Sequence, residues 1–435
     1  MIISILGAGK SSYYAIEHLS KECQQNNWEL RVYDHAPHLV STNITDLVDV
    51  NAINLDSANS EEMIAQSNIV VSLLPANLHF NIAQLCLKHN THFATASFVS
   101  PEMHTLHEAA KNQQLVFLNE CGLDPGIDHM STCQVIDDLK SQGATITEVE
   151  SYCGGLIAKE DCSENPWEYK FAWSPRNLIL AGQSGPSTFI RNQHKRLVQW
   201  HQLFKTVNQI SLGSMGDFDA YPNRDSIIYR DLYHIQDVHT LIRGTLRRRG
   251  FCAAWQQLVE WGFTDNSFQL VNIKSIADFS RRLSGFDFSK NHWKENLSED
   301  TIEKIDFLQL ERESPFSISQ GTAADFLIEL LLPLWELKEN DKDEIILYHS
   351  VKYELNGQLK QDISTLQYFG QSKMLTAMSA LVGLSLAMAV VLIAQGEIYQ
   401  YGVQIPNTPN WYNPILSQLK TKGININHET KVQNL

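Results

Sequence analysis

MIISILGAGKSS, residues 1–12, sets a short apolar run, Ile2–Leu6, directly before Gly7-Ala8-Gly9 and a helical pattern over Tyr13–Glu22. Strand, glycine turn and helix in that order predict the first unit of a nucleotide-binding α/β sheet. Two glycines let the backbone turn tightly and approach a pyrophosphate, and the helix N-terminus then stabilises the anion. Ser12 stands where the third glycine of GxGxxG would be, so Gly7, Gly9, Lys10, Ser11 and Ser12 form an incomplete fingerprint. The GKS at 9–11 raises a P-loop as the rival. Its spacing fails, because Ser4 occupies the place of the required earlier glycine.

Working outward, apolar runs alternate with helical patterns up to residue 125. Strands are expected at Ile2–Leu6, Glu29–Tyr33, Val50–Leu55, Ile69–Leu74, His92–Thr95 and Leu115–Leu118. This β-α rhythm predicts a Rossmann-type, doubly wound parallel sheet. Beyond residue 130 the rhythm changes. Ile146–Tyr152 reads as a strand, Thr188–Thr206 as polar and irregular, and Leu232–Leu246 with Phe251–Trp261 as the start of a helical region. Residues 345–355 and 358–366 alternate around Asn356-Gly357, a hairpin signal. The expected organisation is a dinucleotide domain over 1–125, completed by about 390–435. An α+β substrate domain over 126–390 follows it, with a helical insertion at about 232–335.

Composition bounds the function classes. A formal net charge of −15 with no long basic run argues against a nucleic-acid partner. Seven scattered cysteines without a CxxC pair fit free thiols in a reducing cytoplasm rather than disulfides or structural zinc. The N-terminus lacks the basic region and cleavage site of a secretory signal. Met374–Ala394 carries no charge and is long enough to span a bilayer. Its Thr376, Ser379, Ser385 and many small residues predict a buried helix instead, and no membrane association. No HxxxH or HxH spacing supports a metal site.

The polar residues gather in particular stretches. Asp34 ends the second strand, where an acid hydrogen-bonds the ribose hydroxyls of NAD and would repel a 2′-phosphate. Asn119–Met130, NECGLDPGIDHM, follows the last strand of the first domain and holds Asp124 in a Gly-flanked turn. A carboxyl at a partly dry site can have its pKa raised toward neutrality and serve acid-base steps. Arg224, Arg243 and Arg247 are candidate carboxylate clamps, because guanidinium pairs bidentately with carboxylate.

Taken together, NECGLDPGIDHM, SYCGGL (151–156), NPWEYKFAWSPR (165–176), YPNRDS (221–226), DLYHI (231–235) and RGTLR (243–247) resemble the saccharopine reductase family, the glutamate-forming saccharopine dehydrogenases. The resemblance covers residues 1 to about 400. It implies that Leu73, Leu74, Leu123, Asp124 and Ser174 lie at the cofactor, and that Ser97, Phe98, Asp124, Arg224 and Thr245 lie at the substrate. It also lifts Cys153, in Tyr-Cys-Gly-Gly, from a small buried residue to a catalytic candidate beside Asp124. Phe98 departs from the Tyr common in the family. Asp34 departs from the Arg of the fungal reductases, which favours NAD(H) and leaves NADP(H) open.

The implied activity is saccharopine formation from 2-aminoadipate 6-semialdehyde and L-glutamate by imine reduction, or the reverse, within lysine metabolism. A cytoplasmic homodimer is expected. The sister activity of carboxynorspermidine dehydrogenase is the enzymatic alternative, and a non-catalytic NAD(P)-sensing protein is the alternative of another class.

Overall fold

Ile2–Leu6 is the hub of a parallel sheet. Ile3, Ile5 and Leu6 are fully buried, as a strand covered by helices on both faces requires. The computed structural model describes residues 1–432 except 10, 56, 57 and 163, so Lys10 of the glycine loop lies outside the described residues. Seven strands pair in the order Gly402–Gln404, Val116–Leu118, His92–Thr95, Ile69–Ser72, Ile2–Leu6, Glu29–Asp34, Val50–Ala52. Every pairing is parallel. The direction of winding reverses between Ile2–Leu6 and Ile69–Ser72, and the carboxyl ends of these two strands open the crevice where such sheets take ligands. Gly7 turns the chain there at φ +101°, and a Cβ on it would press on the Leu73 backbone at 3.1 Å.

This first unit comprises Met1–Gly143 and Met374–Asn427. Its boundary falls after the expected 125, because the helix Ile127–Ser141 packs on the helix Pro409–Thr421, with Tyr412 donating to Asp137 at 2.7 Å. The chain returns at 374 rather than about 390, because the apolar helix Ala377–Ala394 belongs wholly here. Gly383 brings that helix so close to Tyr13–Asn26 that an added Cβ would lie 2.8 Å from the Ala15 amide. It is the one described helix apolar and long enough to cross a membrane, yet 83% of that window is buried. The C-terminal segment supplies a seventh strand and a helix to this unit, since Thr408 and Pro409 are a sound helix start.

The second unit comprises Ala144–Lys373 and the residues from His428 on. Its mixed sheet runs Asn208–Ser211, Asp217–Pro222, Thr240–Arg248, Thr145–Ile157, Asp343–Leu355, Gln358–Phe369, Asn427–Val432. The Asn356-Gly357 hairpin forms as expected, with both residues at positive φ. Two expectations are corrected. Leu232–Leu246 is not helical: after a short turn at Tyr229–Leu232, Thr240–Arg248 is a strand buried on both faces, so its alternating arginines hide a strand period. Thr188–Thr206 is largely a hairpin, Ser187–Arg191 with His194–Val198, turned by Asn192 and Gln193 at positive φ. Its outer strand is mostly exposed and therefore polar.

The helical insertion begins at Phe251 rather than 232. Phe251–Glu260, Ile276–Ser284, Glu299–Asp306 and Ala323–Trp335 form it, and Ser275, Ser298 and Thr322 cap three of their N-termini. Trp167, Trp255, Trp335 and Phe251 interlock edge-on and face-on at its core. Aromatic pairs of this kind add about 0.5–1.5 kcal/mol each beyond burial.

Candidate active site

The glycine loop follows the hub strand Ile2–Leu6 and precedes the helix Tyr13–Asn26. Ser12 is buried and its hydroxyl donates to Gly9 O at 2.7 Å, which turns the departure from GxGxxG inward. A Cβ on Gly9 would meet nothing within 4 Å. Ser11 is exposed beside it. Asp34 ends Glu29–Asp34 and accepts from the Ala8 amide at 2.8 Å and the Ala36 amide at 2.9 Å. Burial opposes its ionisation, but the Ala36 and Ala8 amides together with His35 outweigh it and hold the carboxyl below its usual range. A helix start, an open glycine loop and an ionised acid at the next strand end fit a dinucleotide's pyrophosphate and adenosine ribose.

The NECGLDPGIDHM turn closes on itself. Gly122 N–H donates to Pro125 O at 2.9 Å, and Asp128 Oδ1 accepts the Gly126 amide at 2.7 Å. Gly126 sits at φ +146°, with the space for a Cβ filled by Gly122 O at 2.1 Å. Asp124 and Leu123 project from this turn, Asp124 half-buried and Leu123 buried. The Ser385 hydroxyl of the apolar helix donates to Gly122 O at 2.8 Å and so braces the turn from behind.

A buried polar lattice ties the turn to the neighbouring strand end. Glu120 N–H donates to Ser97 O at 2.9 Å, while Glu120 Oε1 accepts the Val99 amide and Oε2 meets His129 Nε2 at 2.9 Å. His129 is fully buried, as a structural histidine should be. Ser97 and Phe98 therefore share one sheet edge with Asp124. Leu73 and Leu74 follow the adjoining strand Ile69–Ser72.

One residue went unrecognised in the sequence. His79, at the start of His79–Lys88, lies between strand ends: Nδ1 is 2.9 Å from Ser72 Oγ, and Nε2 is 2.8 Å from Ser97 Oγ and 3.3 Å from Thr95 Oγ1. No periodic pattern links these positions. A histidine soon after Pro75, opening a helical stretch behind a strand end, was the one signal available.

In the second unit Thr240–Arg248 carries Arg243, Thr245 and Arg247 at alternate positions, hence on one face. Thr245 pairs with Cys153 on Thr145–Ile157 and with Tyr221 on Asp217–Pro222. Arg243 lies 4.3 Å over the Tyr229 ring. Arg247 is enclosed by Tyr169 and Phe251 at 5.1 and 5.6 Å. Tyr169 also accepts from Trp173 Nε1 at 3.0 Å, which joins the FAWSP segment to this arginine. Ser174 is exposed at the head of the short helix Pro175–Ile179. Arg224 is exposed at φ +53°; its carbonyl accepts the Thr188 amide, and Asn223 beside it donates its amide to Arg243 O at 2.9 Å. Among the described residues no group of three or more His, Cys, Asp or Glu side chains is placed to hold a metal ion.

Comparison with known proteins adds to this geometry. Residues 3–118 match the model described as "Saccharopine dehydrogenase NADP binding domain", and residues 122–424 match "Saccharopine dehydrogenase C-terminal domain". The chain is 30% identical to saccharopine dehydrogenase [NADP(+), L-glutamate-forming] of Schizosaccharomyces pombe over 98% of both chains. It is 32% identical to the Saccharomyces cerevisiae protein of that name over 87% of this chain and 89% of the relative. It is similar, at 28% identity, to mouse mitochondrial alpha-aminoadipic semialdehyde synthase, over 48% of that longer protein. The apo structure of S. cerevisiae saccharopine dehydrogenase (L-Glu forming) superposes with a TM-score of 0.87 at 27% identity over 99% of both chains. A homospermidine synthase from Legionella pneumophila shares the fold, with a TM-score of 0.58 at 10% identity.

Proposed function

The chain belongs to the saccharopine dehydrogenase family, and from that premise we propose that it joins 2-aminoadipate 6-semialdehyde to L-glutamate and reduces the imine to saccharopine, or runs the reverse oxidation. The observation that carries this reading is the match over nearly the whole of both chains to glutamate-forming saccharopine dehydrogenases. It supports neither the carboxynorspermidine alternative nor a nucleotide sensor.

The chemistry divides into two parts. Attack of the glutamate amine on the aldehyde gives a carbinolamine, which loses water to an imine; hydride and one proton complete the secondary amine. The bound nicotinamide supplies the hydride. Gly7, Gly9, Ser11 and Ser12 hold its phosphates, Asp34 the adenosine ribose, and Leu73, Leu74, Leu123 and Ser174 flank the ring end. Asp124 moves the proton at the substrate nitrogen, with Cys153 as the second candidate. Arg224 pairs with a substrate carboxylate, and Arg243, Thr245 and Arg247 extend that grip, while Ser97 and Phe98 form the wall. Because Asp34 is ionised and presents a carboxylate where a 2′-phosphate would sit, the reading favours NAD(H), against the NADP(+) named for the relatives. A homodimer and a cytoplasmic location belong to the same proposal, tested by light scattering and by cell fractionation.

The test is a reduction assay with semialdehyde, a panel of amines, and NADH or NADPH. Turnover should require L-glutamate and run faster with NADH. Equal turnover with a diamine in place of glutamate would turn the reading toward a sister imine reductase.

A further inference from the structure

Ser72 and Ser97 stand at the carboxyl ends of adjacent parallel strands, and the imidazole of His79 bridges them at 2.9 and 2.8 Å. Ser72 and His79 are buried, whereas Ser97 is half-exposed at the edge that carries Asp124. A buried polar group without a partner costs about 1–3 kcal/mol, so a three-member chain ending on a half-exposed hydroxyl marks where the polarity is used. We propose that His79 is a positioning residue: its Nε2–H fixes the Ser97 oxygen, and the Ser97 O–H donates outward to the oxygen of the carbinolamine, aiding its loss as water. The inference rests on the reading given under Proposed function.

Two observations support it. Burial pushes the imidazole down to about 4, so near neutral pH the ring is one donor and one acceptor. Ser97 Oγ and Thr95 Oγ1 both face Nε2, and Thr95 Oγ1 already accepts the Ser97 amide at 3.3 Å, which suits a shared N–H at Nε2 and a Ser72 hydroxyl donating to Nδ1.

The test compares Ser97→Ala, His79→Asn, His79→Gln and the double variant His79→Asn/Ser97→Ala, each checked for folding by its melting temperature. A Gln amide can occupy the Nε2 position, whereas an Asn amide reaches only the Nδ1 position. Loss of one neutral hydrogen bond predicts a fall in kcat of about three- to tenfold for Ser97→Ala and for His79→Asn, with KM for the nicotinamide unchanged. The double variant should be no worse than either single one, and His79→Gln should recover most of the rate. Additive losses, or a His79→Gln enzyme as slow as His79→Asn, would overturn the proposal. If His79→Asn does not fold, Ser97→Ala and His79→Gln decide between the same outcomes.

A second readout does not depend on the substrate. Imidazole ¹⁵N shifts of the wild type, assigned by their loss in His79→Gln, should show a protonated Nε2 and a bare Nδ1 at neutral pH. The opposite tautomer or a charged ring would overturn the inference. If the wild type forms no saccharopine while the Nε2–H tautomer is found, the reading of the reaction fails and the hydrogen-bond chain stands.

Discussion

In the first unit the polar side chains stand at the carboxyl ends of strands: Ser72, Ser97 and the Asp124 turn follow buried apolar runs, and Asp34 ends the partly buried Glu29–Asp34. In the second unit Arg243, Thr245 and Arg247 project from within a strand buried on both faces, and aromatic rings lie against the two arginines. A strand end can carry a reactive group because the strand itself needs no polar residue. A mid-strand arginine must be housed, and cation–π contacts, worth about 2 kcal/mol or more when desolvated, house it here. The difference teaches that one unit offers chemistry on a rigid edge, while the other offers charge from within its wall.

The largest expected effect falls on the rigidity of the edge. Gly126→Ala meets both a strained φ and backbone overlap at Gly122, and should cost more than about 3 kcal/mol in denaturant unfolding. Gly9→Ala, with open space around it, should fold normally and weaken cofactor binding instead. Comparable stability losses at the two sites would break the contrast between a closed turn and an open loop.

Next comes Asp124→Asn, which should lower kcat by about 10²–10⁴ and flatten one limb of its pH profile. An unchanged profile would reduce Asp124 to a turn residue and move the proton step to Cys153, in the second unit.

These positions also tell how much was legible beforehand. The parallel sheet, the glycine loop, Asp34 and the 119–130 turn could be read because turn residues interrupt apolar runs, and those runs leave little ambiguity. The Thr240–Arg248 strand was misread as helix, since arginines packed under aromatic rings look like a solvated face to any one-dimensional pattern. His79 was invisible because its partners Ser72 and Ser97 join it only through the pairing of two parallel strands.

Arg224→Ala should raise KM for the amino-acid substrate by about ten- to a hundredfold, the range for hydrogen bonds to a charged group. Cofactor Kd should stay the same. A changed Kd with unaltered KM would place the carboxylate clamp elsewhere, on Arg243 or Arg247.

The smallest effect is the cofactor preference. Asp34→Ala removes a carboxylate held by the Ala8 and Ala36 amides and should shift the NADH-to-NADPH ratio of kcat/KM by about tenfold toward NADPH. A wild type that already prefers NADPH, as its relatives' names indicate, would show that Asp34 anchors the glycine loop rather than reading the ribose.

The central claim is tested most directly in the oxidative direction. Saccharopine is incubated with the enzyme and NAD⁺ or NADP⁺, and the products are identified by mass spectrometry. The account predicts one L-glutamate and one semialdehyde for each nicotinamide reduced; release of lysine with 2-oxoglutarate, or no nicotinamide reduction with either cofactor, would contradict it.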